Sequence, residues 1–180
     1  FADQQITLMN SRLTKHRPPL LNASFHSGSG NNYNLASPLS GKYQLKNLAT
    51  VLATIEKLQQ NGINIKKEHI LKGVRNVNKN TSLTGRWQTL CSNPLTIADI
   101  GHNPDGIREV LEQIAITPHQ KLHFVLGVVN DKDVKSMLSK LPVSATYYFC
   151  KADIPRGLDA KELAEQAKEY SLTGTKYESV

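Results

Sequence analysis

The sequence predicts an α/β protein whose second half forms a parallel sheet covered by helices. Apolar runs rich in β-branched and aromatic residues predict strands at 96–100, 122–129 and 146–150. Segments with helical periodicity follow each of them, at 104–115, 133–141 and 159–170. Strands that alternate with helices indicate right-handed βαβ units with parallel strands. Ligands of such sheets bind at the carboxyl ends of the strands.

The first half has a different pattern. Residues 1–36 contain short apolar stretches separated by Pro-rich and Gly-rich breakers, which predicts short strands joined by turns. Apolar residues recur at helical spacing from Leu45 to Gln60, and the pair Asn61-Gly62 is a stop signal. A shorter helix is predicted at 67–74, followed by a polar connection to residue 84. We therefore expect two domains, 1–90 and 91–180.

Charge is distributed unevenly along the 180 residues. Residues 1–90 contain 12 Lys and Arg against 3 Asp and Glu, a formal charge of +9, whereas residues 91–180 contain 10 against 12, or −2. A basic half is compatible with a polynucleotide or with an anionic small molecule such as a nucleotide. Because no aromatic-interleaved basic stripe or nucleic-acid motif accompanies the charge, we expect no nucleic-acid partner.

The remaining composition predicts a cytoplasmic protein without a membrane partner. No apolar run approaches the roughly 20 residues that cross a bilayer, and the first residues do not have the pattern of a signal peptide. Cys91 and Cys150 lie far apart without metal-ligand spacing, so we expect reduced thiols. The chain begins at Phe1 without Met, and another strand starts near residue 175. We expect a piece of a longer polypeptide.

The segment 96–107 predicts a strand, a turn and a helix. Asn103 suits the N-cap of that helix, Pro104 suits its first position, and the backbone N–H groups of a helix start suit a phosphate. Asp99, at the strand end, is either a ribose-binding carboxylate or a turn cap. His102 is either a phosphate donor or a hydrogen-bonded structural residue. Capping alone explains Asn103 fully, and a ligand role would be additional.

Further candidates lie on both sides of this segment. Arg86 has a planar guanidinium that fits a phosphate, although a solvated Arg or one stacked on Trp87 is the alternative. Asn47 near the start of the long helix is either a surface residue or a reader of an adenine edge. Asp131, Lys132 and Asp133 follow a predicted strand and could line the same sheet edge, or could start a helix.

Two glycine motifs resemble nucleotide-binding loops without matching them. Gly28-Ser29-Gly30 lacks the third glycine of the dinucleotide fingerprint. The segment 36–43 has Ala36 and Tyr43 where a phosphate loop needs Gly and Ser or Thr. We predict a turn at both places.

In combination, the motifs are more specific. The chain contains, in order, Leu39-Ser40-Gly41-Lys42-Tyr43-Gln44-Leu45-Lys46-Asn47, then Gly85-Arg86-Trp87, then Asp99-Ile100-Gly101-His102-Asn103-Pro104-Asp105-Gly106. This series resembles the folylpolyglutamate synthase/dihydrofolate synthase family of the muramyl-peptide ligase superfamily. The family usually has Gly-Ala where Ile100-Gly101 stand here. It also has a Gly-x-x-x-x-Gly-Lys-Ser/Thr phosphate loop, which this chain lacks.

The resemblance implies an ATP-dependent amide ligase. ATP and Mg²⁺ would activate a carboxylate of dihydropteroate or of a folate glutamate tail as an acyl phosphate, which the amine of L-glutamate attacks. Residues 1–90 would be the end of the central ATP-binding domain, a P-loop-type ligase domain. Residues 91–180 would be an incomplete Rossmann-like C-terminal domain, so that both ends are truncated.

The family's site residues carry over by position. Asn47 would approach adenine, Arg86 the phosphates and Asp99 the ribose, while His102, the catalytic candidate, and Asn103 would lie near the reacting phosphate. No metal ligand of the family falls within the chain. We expect a monomer, and we expect the chain alone to be inactive. Two alternatives stay open: another muramyl-peptide-type amino-acid ligase, and a non-enzymatic nucleotide-binding or nucleic-acid-binding module.

Overall fold

Two compact units make up the chain. The computed structural model describes residues 2–15, 18–130 and 134–179, and the chain divides into Phe1–Ile100 and Gly101–Val180. The compact division thus follows Ile100, and the assignment of 1–90 and 91–180 to two functional domains stays a prediction.

Alternating burial builds the sheet of the first unit. Side chains of the middle strand alternate between the core and the outer face, the period expected of a half-buried strand. Three antiparallel strands pair in the order β1-β2-β3. The elements of this unit are α1 (Ala2–Gln5), β1 (Ile6–Leu13), β2 (Leu21–Ser27), β3 (Asn32–Ser37), α2 (Gln44–Gln60), α3 (Lys67–Arg75), α4 (Val77–Thr81), β4 (Gln88–Ser92) and β5 (Leu95–Ala98).

The long helix α2 confirms the helix predicted at 45–60. Its apolar face buries Leu48 and Leu52 against the sheet, where they share a core with Phe25 and Tyr33. The helix ends at Gln60 with Asn61 as its C-cap, and the next residue, Gly62, has a φ of 86°, a left-handed conformation that glycine adopts without strain. Helix α3 confirms the second predicted helix, whereas the predicted polar connection contains the short helix α4.

The strand predicted at 96–100 has a different partner from the one we expected. It forms β5, which pairs antiparallel with β4 in a two-stranded sheet, with Thr89 opposite Ile97 and Ser92 opposite Leu95. The prediction that this segment is the first strand of the parallel sheet is wrong. Only two residues separate β4 from β5, so local hairpin pairing forms without a crossover.

The second unit contains the parallel sheet. Its elements are α5 (Pro104–Ala115), β6 (His123–Leu126), α6 (Val134–Leu138), β7 (Thr146–Cys150), α7 (Ala160–Lys168) and β8 (Gly174–Tyr177). The strands β6, β7 and β8 are parallel neighbours in that order, which confirms two of the three expected βα units. Helices α6 and α7 bury Leu138 and Leu163 fully, in one core with Tyr147 and Phe149. The candidates at 131–133 lie outside the described residues.

Among the described residues, no helix has both the length and the apolar character required to cross a membrane.

Candidate functional site

Four residues of the first unit form what we call the Asp99 cluster: Tyr43, Arg86, Trp87 and Asp99. Asp99 directly follows β5 and is half-buried. Its Oδ2 atom accepts two hydrogen bonds, from the Tyr43 hydroxyl at 2.7 Å and from the Trp87 backbone N–H at 2.7 Å. Bonds to a charged acceptor are stronger than neutral ones, so the two donors together fix the orientation of this carboxylate.

Hydrogen bonds on both sides fix the turn that contains Arg86. Gly85 and Trp87 have φ values of 68° and 49°, both in the left-handed region. The Ile100 N–H donates to the Gly85 carbonyl at 3.0 Å, and the Gly85 N–H donates to Oε1 of Gln88 at 2.9 Å. A Cβ on Gly85 would lie only 2.6 Å from Cγ2 of Ile100, so a larger residue does not fit there. The backbone of Arg86 is therefore fixed, and its side chain is half-buried.

The electrostatics keep Tyr43 a hydrogen-bond donor. Burial raises the pKa of the Tyr43 hydroxyl, its hydrogen bond to Asp99 raises the pKa further, and the positive charge of Arg86 offsets only part of that rise. The hydroxyl stays protonated through the physiological pH range. A guanidinium and an oriented carboxylate thus occur in one small cluster, a donor and acceptor set that fits the phosphates and the ribose of a nucleotide.

Asn47 lies one helical turn beyond Tyr43 on α2. Residues four apart share one side of a helix, so Asn47 is on the side of Tyr43. The residue is exposed, and its Nδ2 donates to Oε1 of Gln44 at 2.9 Å. The structure thus places the predicted adenine reader at an exposed position, one helical turn after Tyr43.

His102 and Asn103 belong to the second unit, and both are exposed. Asn103 is the N-cap of α5, as predicted: its Oδ1 accepts from the Gly106 N–H at 2.7 Å, and its carbonyl accepts from the Ile107 N–H at 2.9 Å. Pro104, at the first helical position, has no N–H. The cap uses the Gly106 N–H, one of the helix-start amides without a helical partner, whereas the Ile107 N–H makes the first bond of the helix itself. Phosphate binding at this helix start stays a prediction.

Removing this cap should destabilise α5. We expect Asn103→Ala to lower the free energy of unfolding of the second unit by about 1 kcal/mol, because the Gly106 N–H loses its acceptor. Urea unfolding followed by far-UV circular dichroism measures the change. Asn103→Ser, which keeps a capping oxygen, should retain most of the stability, and equal losses in both variants would contradict a capping role.

Both glycine motifs are turns, as predicted. Residues 28–30 connect β2 to β3, and residues 41–43 form the turn before α2. Within residues 2–15, 18–130 and 134–179, no group of three or more His, Cys, Asp or Glu side chains could hold a metal ion.

Reasoning from the sequence did not single out Tyr43 and the Trp87 amide as partners of Asp99. Tyr43 and Asp99 are 56 residues apart, and no local periodicity relates them. The sequence relates Tyr43, Trp87 and Asp99 in only one way: they lie in the three family motifs at 39–47, 85–87 and 99–106.

Comparison with known proteins identifies the family of the chain. The family model described as "Mur ligase, glutamate ligase domain" matches residues 85–180. A protein of Haloferax volcanii named "Probable bifunctional folylpolyglutamate synthase/dihydropteroate synthase" is 32% identical over 127 residues, which cover 71% of this chain and 14% of that protein.

Two solved structures of similar fold also come from folylpolyglutamate synthases. Folylpolyglutamate synthase of Mycobacterium tuberculosis, complexed with ADP, is 25% identical with a TM-score of 0.79, covering 98% of this chain and 38% of that one. A bifunctional folylpolyglutamate synthase/dihydrofolate synthase with Mn, AMPPNP and L-glutamate bound is 25% identical with a TM-score of 0.67, covering 96% and 38%. The chain thus spans less than half the length of these relatives. Since the family model matches more than half of its residues, the chain belongs to the Mur ligase family, through the glutamate ligase domain.

Proposed function

We propose that this chain is part of an ATP-dependent ligase that adds L-glutamate to dihydropteroate or to the γ-carboxylate of folate polyglutamates. The observation that carries the proposal is the Asp99 cluster, at the start of the segment that the glutamate ligase model matches. In this cluster Tyr43 and the Trp87 amide orient the Asp99 carboxylate, and the charge of Arg86 lies close enough to act on Tyr43. Relatives complexed with ADP, or with Mn, AMPPNP and L-glutamate, support the same assignment.

Each candidate residue has a role in this proposal. The Arg86 guanidinium binds the nucleotide phosphates through its planar fork, and the Asp99 carboxylate accepts hydrogen bonds from ribose hydroxyls. Asn47 offers a donor and an acceptor to the adenine edge. In the second unit, His102 and Asn103 belong near the reacting phosphate, His102 as the donor to it.

The reaction is glutamate ligation through an acyl phosphate. The substrate carboxylate takes the terminal phosphoryl group of ATP, the glutamate amine displaces that phosphate, and an amide, ADP and phosphate result. A metal ion such as Mg²⁺ neutralises phosphate charge in reactions of this class. Because the described part of the chain holds no group of metal ligands, we assign none of its residues to that ion.

The 180-residue chain by itself should not catalyse ligation. Its sequence contains no Gly-x-x-x-x-Gly-Lys-Ser/Thr phosphate loop, and phosphoryl transfer depends on a cradle and a metal to neutralise charge. We expect no glutamate-dependent release of ADP when the isolated chain is incubated with ATP, Mg²⁺ and a folate. Release of ADP above the glutamate-free control would contradict this expectation.

Substrate choice tests the proposal in the ligase that contains this chain. We expect glutamate-dependent ADP release with dihydropteroate or a folate as acceptor, and none with a UDP-muramyl peptide. The reverse preference would favour the muramyl-peptide alternative. Tight binding to random DNA at physiological salt, with a steep dependence on salt and no ADP release, would favour the nucleic-acid-binding module.

A further inference from the structure

The Tyr43 hydroxyl connects two parts of the first unit that are distant in sequence. Tyr43 lies immediately before α2, whereas Asp99 follows β5. The hydroxyl and the Trp87 N–H converge on the same carboxylate oxygen, each at 2.7 Å. A carboxylate held through one oxygen by two donors cannot rotate freely, so its plane is set before any ligand arrives.

The Tyr43 ring is itself held in place. A Cβ on Gly41 would lie 2.7 Å from Cε1 of Tyr43 and 3.1 Å from Cβ of Trp87, so both side chains pack against this glycine. Trp87 is only 7% exposed. The Tyr43 hydroxyl therefore reaches Asp99 from a fixed ring. Because folding already orders the side chains of Tyr43 and Asp99, ligand binding does not carry that entropic cost.

We propose that Tyr43 is a positioning residue that holds the Asp99 carboxylate in the orientation that accepts ribose hydroxyls, and so sets the preference for ribonucleotides over deoxynucleotides. The inference rests on the proposed function, because it needs Asp99 to contact the ribose. It adds a specificity role for a residue that contacts the carboxylate and not the nucleotide.

The same unit offers a matched control. The Tyr33 hydroxyl donates to Oε1 of Glu56 at 2.8 Å, so it is also a tyrosine bonded to a carboxylate. That carboxylate stabilises the turn between β2 and β3, because Ser29 and Asn31 donate to the same oxygen. Glu56 lies 13 residues after Tyr43, about 20 Å along a helix that rises about 1.5 Å per residue. Tyr33→Phe removes an equivalent bond at a distance from the cluster.

The experiment compares ATP with 2′,3′-dideoxy-ATP in the ligase that contains this chain. Steady-state ligation gives kcat/KM for each nucleotide, and their ratio measures the contribution of the ribose hydroxyls. We expect a ratio of about 10 to 100 in the wild type, from hydrogen bonds to a charged acceptor. Tyr43→Phe should lower the ratio about 3- to 10-fold, mainly by raising KM for ATP with kcat little changed.

Two further variants and a stability measurement make the result decisive. Asp99→Asn should also lower the ratio, and Tyr33→Phe should leave it at the wild-type value. Thermal unfolding of the ligase that contains this chain shows whether Tyr43→Phe keeps the fold, and Asp99→Asn tests the same contact if it does not. A reduced ratio in Tyr43→Phe and Asp99→Asn alone supports the inference, because a purely structural bond would change both nucleotides equally.

The contrary outcomes separate the two proposals. Normal ligation with an unchanged ratio in Tyr43→Phe overturns the positioning role and leaves the proposed function intact. A wild-type ratio near 1, or an unchanged ratio in Asp99→Asn, overturns the ribose contact and the positioning role together. A ligase that releases no ADP in response to glutamate overturns the proposed function, and this inference with it.

Discussion

Replacing Arg86 by alanine is expected to lower kcat/KM for ATP about 100- to 1,000-fold in the ligase that contains this chain. The reason is electrostatic: phosphoryl transfer develops charge on the phosphate oxygens, and a fixed donor aimed at that charge typically contributes a factor of this size. The loss should appear mainly in kcat, because the charge is greatest in the transition state. Coupled-enzyme detection of ADP measures both parameters.

The structure explains why the effect should be large for a half-buried surface arginine. The turn at 85–87 is fixed by the Ile100 amide, the Gln88 side chain and the Asp99 carboxylate, so the backbone of Arg86 is already in place. Preorganised donors act without the cost of reorganisation during the reaction. An arginine on a mobile backbone would stabilise the transition state less, because part of the gain would be lost to the entropy of ordering its side chain.

Two controls separate this role from charge or folding effects. Arg86→Lys keeps the charge but not the planar fork, so its kcat/KM should fall between those of the wild type and Arg86→Ala. Arg75→Ala removes an exposed arginine from α3 of the same unit and should not change the kinetics. If Arg86→Ala retained wild-type kcat/KM, the assignment of this residue to the phosphates would be wrong.

Helices were predictable where periodicity and capping signals agree. Helix α5 begins at Pro104 after the Asn103 cap and ends at Ala115, the bounds predicted from sequence. The strand at 146–150 was also predicted correctly, because a short run of aromatic and apolar residues stands between turns. In both cases, the signal lies within the element itself.

Strand partners were less predictable. The run at 96–100 indicates a strand but does not identify its partner. In the structure this strand pairs with β4, from which only two residues separate it, and not with the parallel sheet. The same limit applies to the site. Arg86 and Asp99 were identified singly, but their relation to Tyr43 depends on a contact across 56 residues and on the left-handed backbone of Trp87, which residue type does not encode.

The second large effect concerns stability and falls on Tyr147, at the centre of the parallel sheet. This residue is 0% exposed, and its ring stacks with those of Phe124 and Phe149, with ring centroids 5.5 Å and 5.7 Å apart. Its hydroxyl donates to the carbonyl of Pro142 at 2.7 Å, and burial raises its pKa to about 12, so the bond persists across the physiological range. We expect Tyr147→Ala to cost about 3 to 5 kcal/mol of unfolding free energy, as large aromatic truncations do.

A loss of that size would remove much of the stability of a small unit, since native domains are stable by only about 5–15 kcal/mol. Hydrogen exchange at the amides of β6, β7 and β8 should therefore accelerate in Tyr147→Ala. Trp87, the one tryptophan of the sequence, lies in the first unit, so its fluorescence transition in urea should stay near the wild-type midpoint. Tyr147→Phe keeps the stacked ring and loses only the hydroxyl bond, which should cost about 1 kcal/mol. Equal exchange rates in Tyr147→Ala and the wild type would show that this ring does not hold the sheet together.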